Sequence, residues 1–206
     1  MLTYIFVIAI TAEAMSGALA AGRRNMDLFG VALIAFMTAL GGGTVRDMLL
    51  GNYPVVWTQH PLYIYLTIGA GLFTIVIAKY MRRLNRIFLL VDAMGLVAFT
   101  IIGCNVALRL EYETPVVIMA GITTGIFGGI LRDIMCNRMP QVLRHELYAS
   151  VSFLVAILYL GMIHFGINEN INLIISFVFG LSMRMAAIRW SWSLPVFSYS
   201  PDRWNG

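Results

Sequence analysis

Residues 41–54 read GGGTVRDMLLGNYP, and residues 127–140 read FGGILRDIMCNRMP. Laid over one another at an offset of 86, Gly42 falls on Gly128, Gly43 on Gly129, Arg46 on Arg132, Asp47 on Asp133 and Pro54 on Pro140. The same offset pairs Ala12 with Ala98, Gly17 with Gly103, Ala21 with Ala107 and Thr38 with Thr124. The chain therefore carries an internal repeat, and its two halves each run apolar into a glycine cluster followed by Arg-Asp.

The medium in which this repeat folds follows from composition. Of 206 residues, 60% are hydrophobic and only 12% are charged, with a mean hydropathy of +0.83. A soluble domain carries roughly 25% charged residues, so a water-soluble globule and a disordered chain are both excluded. Seven apolar segments can be drawn, at about 2–21, 28–50, 62–80, 87–108, 115–136, 147–165 and 171–188. Pro54, Pro61, Pro115 and Pro140 fall between them. None alternates with period two, so a membrane barrel is not supported. The expectation is an all-α integral membrane protein, a single transmembrane domain over residues 1–206. Repeat one takes about 2–84 and repeat two about 87–168, with a seventh helix at about 171–188 and a cytoplasmic tail at about 189–206.

Each repeat contains three crossings, an odd number, so the second must enter the membrane from the opposite side. The result is an inverted repeat about an axis in the membrane plane, an architecture that recurs in transport proteins. Charge sets its orientation. One side receives Arg23, Arg24, Lys79, Arg82, Arg83, Arg86, Arg138, Arg144, Arg184, Arg189 and Arg203, whereas the other receives Arg109. Basic loops stay cytoplasmic, which predicts the N-terminus outside and the C-terminus inside. Ala18-Leu19-Ala20 has the look of a signal-peptidase site, but no basic residue precedes the apolar run and Arg23-Arg24 follow it. The segment reads as a first span. The net charge of +4 is not massed in one soluble patch, so nucleic-acid binding is not expected.

The glycines Gly41, Gly42, Gly43, Gly128 and Gly129 admit two readings. Each costs about 1 kcal/mol relative to alanine in a helix interior, and unwound backbone at membrane depth is tolerated where it lines a polar cavity. The second and fifth spans would then be kinked or broken beside a path. The other reading is close helix packing through small residues. Arg46, Asp47, Arg132 and Asp133 cost at least about 2.5–3.5 kcal/mol each near the bilayer centre and so need partners. Adjacent helical residues do not face one another, which predicts that each Arg pairs elsewhere than with its neighbouring Asp. Those four residues are expected either to lock the halves together or to act in conduction and gating. Glu13 sits near the middle of the first span, and Asp92 lies early in the fourth. Thr38, Thr44, Thr123 and Thr124 supply neutral oxygens near the glycines, or bond back to their own helices. These are the further candidates for lining a path. Lys79, Arg82, Arg83 and Arg86 form a positive-inside loop that also suits anionic lipid headgroups.

Enzyme chemistry finds little support. His145-Glu146 lacks the second histidine of a zinc-protease helix, and Ser16 has no companion histidine in its span. Cys104 and Cys136 read as small core hydrophobes, and neither a metal site nor a disulfide is expected.

The segments AEAMSGALAAGRRNMDLFG, GGGTVRDMLLG and GGILRDIMCNRMPQVLRHELYA resemble the prokaryotic branch of the TRIC (trimeric intracellular cation) channel family, once labelled by a glycine transporter domain. The resemblance covers about residues 2–190. It implies a homotrimer in the inner membrane of a prokaryote, with a pore in each subunit along kinked second and fifth helices. It also implies passage of potassium and sodium, no other cofactor, and a pore motif at Gly41–Gly43, Arg46, Asp47, Gly128, Gly129, Arg132 and Asp133. Many members have an acidic residue early in the first helix to match Asp92; here that position is Phe6. Three functions stay open: a monovalent cation channel, a small-solute (glycine-like) secondary transporter using the same repeat, and a structural, lipid-organising trimer.

Overall fold

A computed structural model of the chain describes residues 2–78, 84–143 and 147–195, the side chains of 84–86 excepted. Lys79, Arg82 and Arg83 lie outside the described residues, as does the side chain of Arg86. The elements in chain order are α1 (Leu2–Gly22), α2 (Leu28–Leu50), α3 (Val56–Gln59), α4 (Leu62–Ala78), α5 (Leu84–Arg109), α6 (Thr114–Met135), a 3-10 turn at Gln141–Leu143, α7 (Ala149–His164) and α8 (Glu169–Trp190). The seven expected spans correspond to α1, α2, α4, α5, α6, α7 and α8. Five of these are long and apolar enough to cross a bilayer, while α4 and α7 are apolar helices of 17 and 16 residues. The short α3 was not foreseen.

The repeat is written into the backbone at its turns. After α1, Asn25 takes a left-handed φ of 54°, and the amide of Met26 donates to the Ala21 carbonyl. After α5, the equivalent Glu111 takes a φ of 58°, and Tyr112 donates to Ala107. Gly51 and its counterpart Asn137 turn the ends of α2 and α6 with φ values of 66° and 48°. There Asn52 donates to the Asp47 carbonyl and Arg138 to that of Asp133, both at 2.8 Å. Asp27 and Glu113 occupy the matching N-cap positions, and the Asp27 side chain accepts from the Gly30 amide at 2.7 Å. Such caps satisfy helix-end groups that have no partner inside the helix.

Helix α1 packs on α2 and α4, α5 packs on α6 and α7, and the halves meet where α2 crosses α6 and α1 crosses α5. The eighth helix, which has no repeat partner, lies against α5 and α7. On α4 small residues turn inward and large ones outward. The buried residues of α4 are Thr67, Gly71 and Thr74, one stripe at helical spacing, whereas Tyr65 and Phe73 point outward. Small residues face the bundle because lipid solvates large apolar side chains as well as protein does. Exposed Phe29, Leu62, Phe73 and Phe165 fit the same multi-pass membrane architecture.

Candidate functional site: the α2–α6 crossing and its two Arg–Asp ends

The glycine clusters do not interrupt their helices. Both α2 and α6 are continuous α-helix through Gly41–Gly43 and Gly128–Gly129, so of the kink or break expected there the break is absent. The glycines instead allow backbone contact. A methyl group on Gly42 would overlap the Thr124 carbonyl oxygen and lie 3.2 Å from the Gly128 nitrogen. A methyl group on Gly128 would overlap the Thr38 carbonyl oxygen. Residue numbers rise along α2 as they fall along α6 through this contact, so the helices cross antiparallel. Thr38 and Thr124, and Gly42 and Gly128, are the repeat pairs themselves, which puts the inversion axis through the crossing.

A second ring of matched contacts supports it. Gly17 of α1 lies against Thr38, and Gly103 of α5 lies against Thr124. The hydroxyls of these threonines donate to the carbonyls of Ile34 and Ala120, each at 2.6 Å. Thr44 likewise donates to the Leu40 carbonyl at 2.8 Å, and it accepts from the Trp57 indole at 3.1 Å. Thr123 is buried. Bonding back to the helix, one of the two sequence readings, therefore describes Thr38, Thr44 and Thr124.

Beyond the crossing, each helix carries its Arg–Asp pair. The expectation that each Arg would avoid the Asp beside it is overturned. Arg46 donates through Nε and Nη2 to Asp47 Oδ1 at 3.0 and 2.6 Å, and Arg132 donates through Nε to Asp133 Oδ1 at 3.0 Å. The facing rule describes Cβ positions, whereas a guanidinium on a three-carbon stem can arc over the adjacent residue. Burial compels it to: Arg46 is 2% exposed and Arg132 is 0% exposed, and without water an unpaired charge is costly.

The two ends then diverge. Arg132 also donates from Nη1 to Asp92 of α5 and to Ser16 of α1, the latter at 2.9 Å, and stacks over Phe88 at 4.8 Å. Asp133 accepts in turn from the Gln141 amide at 3.0 Å. Glu13 lies against Gly95, where a methyl group would overlap its carboxylate, one helical turn along α5 from Asp92. Two buried carboxylates thus pair with one buried guanidinium, with a third buried beside them. Arg46 has Asp47, and Asp47 accepts additionally from Asn52 at 2.9 Å. A small cavity of about 20 Å³ adjoins Arg46, lined among others by Phe6, Phe99, Trp57 and Thr44.

Comparisons with known proteins bear on this arrangement. The family model described as "Glycine transporter" matches twice, over residues 3–79 and 89–164, one copy per repeat. The UPF0126 inner membrane protein YadS of Escherichia coli K12 is 37% identical over 201 residues, 96% of this chain and 97% of that protein. The UPF0126 membrane protein YvgT of Bacillus subtilis is 32% identical over 198 residues, 95% and 96% of the two chains. Among solved structures, the TRIC trimeric intracellular cation channel orthologue from Rhodobacter sphaeroides is similar at a TM-score of 0.89, with 32% identity over 93% of this chain and 98% of that one. A second, solved in work on the structural basis for conductance through TRIC cation channels, has a TM-score of 0.86 and 32% identity over 96% and 98%. The chain belongs to this family, the prokaryotic TRIC proteins.

Within this TRIC fold, the divergence of the ends is systematic. At the repeat offset, Asp92 corresponds to Phe6, Ser16 to Ile102, Glu13 to Phe99 and Tyr148 to Leu62. The polar groups gathered near Arg132 are thus apolar near Arg46, and Phe6 and Phe99 do line the cavity beside it. Ser16, Phe88, Asn52 and Tyr148, which lines a crevice with Arg132 and carries the Arg184 guanidinium over its ring at 4.8 Å, were missed by sequence reasoning. For Ser16 a signal was present, since it follows Glu13 by three residues and so shares its helix face. Phe88 and Tyr148 carried none, because their roles depend on contacts between helices. At the rim just beyond Arg132, Arg24 donates to the Asn137 carbonyl at 2.6 Å, joining the basic turns after α1 and α6. Arg23 shares the Phe88 ring with Arg132, at 4.7 Å from its centroid.

Proposed function

We propose that this TRIC protein is a channel for monovalent cations, potassium and sodium, with a path in each subunit along the α2–α6 crossing. The observation that carries the reading is the excess of buried carboxylate at the Arg132 end. Asp92 and Asp133 both pair with Arg132 there, with Glu13 buried against Gly95 one helical turn from Asp92, and carboxylate charge attracts cations and repels anions. The likeness to solved cation channels over nearly the whole chain supports it. The tight contact of Gly42 and Gly128 with opposing backbone is the closed constriction of this path, and α2 and α6 must part there for ions to pass.

The subunits assemble as a homotrimer, as the description of the Rhodobacter sphaeroides neighbour as trimeric supports. The chain sits in the inner membrane, as the description of YadS supports. Clustering of Arg23, Arg24 and Arg138 at one end, with Arg109 at the other, supports a cytoplasmic C-terminus. Lys79, Arg82, Arg83 and Arg86 then face anionic lipid on the cytoplasmic side.

The "Glycine transporter" description favours a second reading, a secondary transporter that uses the same inverted repeat. One experiment separates them. Purified protein in planar bilayers under a potassium gradient is expected to show unitary currents that reverse near the potassium potential. Saturable glycine uptake into liposomes, with no unitary current, would establish the transporter instead.

A further inference from the structure

At the rim where α5 and α7 end and α8 begins, a cavity of about 380 Å³ opens away from the α2–α6 crossing. Its lining mixes Arg109, Glu169, Asn105 and Tyr159 with Ile163 and Ile167. Arg109 is the basic residue that the charge pattern leaves alone at this rim. Arg109 and Glu169 are both exposed, and both line the cavity with Tyr159. Yet among the described residues they form no ion pair with each other, so each charge is open toward the cavity.

The polar wall has an acceptor without a donor. Asn105 donates from Nδ2 to the Tyr159 hydroxyl at 3.3 Å, while its buried Oδ1 has no hydrogen-bond partner among the described residues. A buried carbonyl left unsatisfied costs about 1–3 kcal/mol, so a donor that reached it from the cavity would be bound favourably. Glu169 offers a second acceptor for the same donor. Arg109 offers donors in a planar fork that fits carboxylate or phosphate oxygens. Two acceptors for an ammonium and one cation for an oxyanion, above an isoleucine floor, describe a receptor for a small zwitterion.

We propose that this cavity binds a primary-ammonium zwitterion, its ammonium on Asn105 Oδ1 and Glu169 and its oxyanion on Arg109. The site is separate from the conduction path and does not depend on the channel reading. The chemistry is shared by the headgroup of phosphatidylethanolamine and by a free amino acid such as glycine. At the rim of a membrane-spanning bundle a headgroup has the shorter route, with its acyl chains beside Ile163 and Ile167.

Full-length protein in detergent, stripped of lipid, is titrated with phosphatidylethanolamine, phosphatidylcholine, phosphatidylglycerol or glycine, and binding is followed by native mass spectrometry and thermal melting. Phosphatidylethanolamine is expected to bind and raise the melting temperature. Phosphatidylcholine, whose quaternary ammonium cannot donate, and phosphatidylglycerol, which has none, are expected to bind about tenfold more weakly. Arg109→Gln and Glu169→Gln, both at exposed positions that leave the core intact, should each weaken phosphatidylethanolamine about tenfold. Stabilisation by millimolar glycine, lost in the same variants, would name a free amino acid as the occupant. Equal binding of all three lipids without glycine binding, or unaltered affinities in both variants, would overturn the proposal.

Discussion

The glycine cluster of α2 offers a test in which one motif should respond with opposite signs. Replacing a helix-interior glycine by alanine gains about 1 kcal/mol from backbone propensity, and this gain is common to Gly42 and Gly43. Their surroundings differ. A methyl group on Gly42 would meet the Thr124 carbonyl and the Gly128 nitrogen, which are backbone atoms of a packed helix and cannot swing aside. Its neighbour on Gly43 would have the Arg46 guanidinium at 3.7 Å, an ordinary contact. Overpacking against rigid neighbours costs about 1–3 kcal/mol. Because the propensity gain cancels in the comparison, Gly42→Ala should be less stable than Gly43→Ala by about that amount. Gly128→Ala, its repeat mate, should behave like Gly42→Ala. Unfolding by dodecyl sulfate in mixed micelles, followed by tryptophan fluorescence, reads the difference directly. If the glycines served instead to unwind the helix, all three of Gly41, Gly42 and Gly43 would lose stability alike. Equal losses in Gly42→Ala and Gly43→Ala would therefore refute the contact argument.

Three further outcomes are expected. Asp92→Asn removes a buried partner of Arg132 while leaving Asp133, so the same unfolding assay should show a loss near the lower end of the roughly 3–5 kcal/mol for breaking a buried pair; a loss near zero would mean that Asp133 alone satisfies Arg132. Glu13→Gln keeps the side-chain shape beside Gly95, so the protein should fold while the bilayer reversal potential moves toward weaker cation preference; an unchanged potential would remove Glu13 from the path. Finally, Arg24→Cys and Leu110→Cys stand at repeat-equivalent turns, both exposed, with Cys104 and Cys136 buried. An impermeant thiol reagent applied to intact cells should label Leu110→Cys and spare Arg24→Cys, whereas labelling of both or of the reverse pair would contradict the inverted topology.

Much of the fold was legible because membrane spans and repeats are one-dimensional signals. Span ends from hydropathy agree with α2 at both termini, and the 86-residue offset reappears in the left-handed turns at Asn25, Glu111, Gly51 and Asn137. The site was legible in membership more than in geometry. Arg46, Asp47, Arg132, Asp133, Glu13 and Asp92 stand out because charge is scarce in such a chain, and all six are buried. How they pair was not legible. Whether Arg132 turns to Asp133, Asp92 or Ser16 depends on how α1 and α5 approach α6, and the reach of its side chain makes sequence spacing a poor guide. The role of the glycines was ambiguous for the same reason. A small residue permits unwinding and permits contact, and only the position of the opposing carbonyl decides between them.

A duplicated scaffold explains why the two ends can differ so far without the fold changing. Contacts at the inversion axis involve backbone and residues kept in both halves, namely Gly17 and Gly103, Thr38 and Thr124, Gly42 and Gly128. Substitution there would have to be matched on both sides, because each glycine receives the other helix's carbonyl region. Away from the axis no such coupling acts. Asp92 and Phe6 occupy equivalent positions but touch different partners, so one end was free to gather carboxylates while the other became aromatic. On the path proposed above, the two mouths would be unlike. A cation would meet carboxylates at the Arg132 end, whereas at the Arg46 end it would meet Phe6, Phe99 and Trp57 around a cavity too small for hydrated ions. Desolvation at that apolar constriction would then be the larger barrier of the two. Reversing the divergence by Phe6→Asp tests this. It would give Arg46 the carboxylate that Arg132 already has, and it should raise unitary conductance by lowering the barrier at the aromatic end. Unchanged conductance in a folded Phe6→Asp protein would place the limiting barrier at the Gly42–Gly128 contact instead.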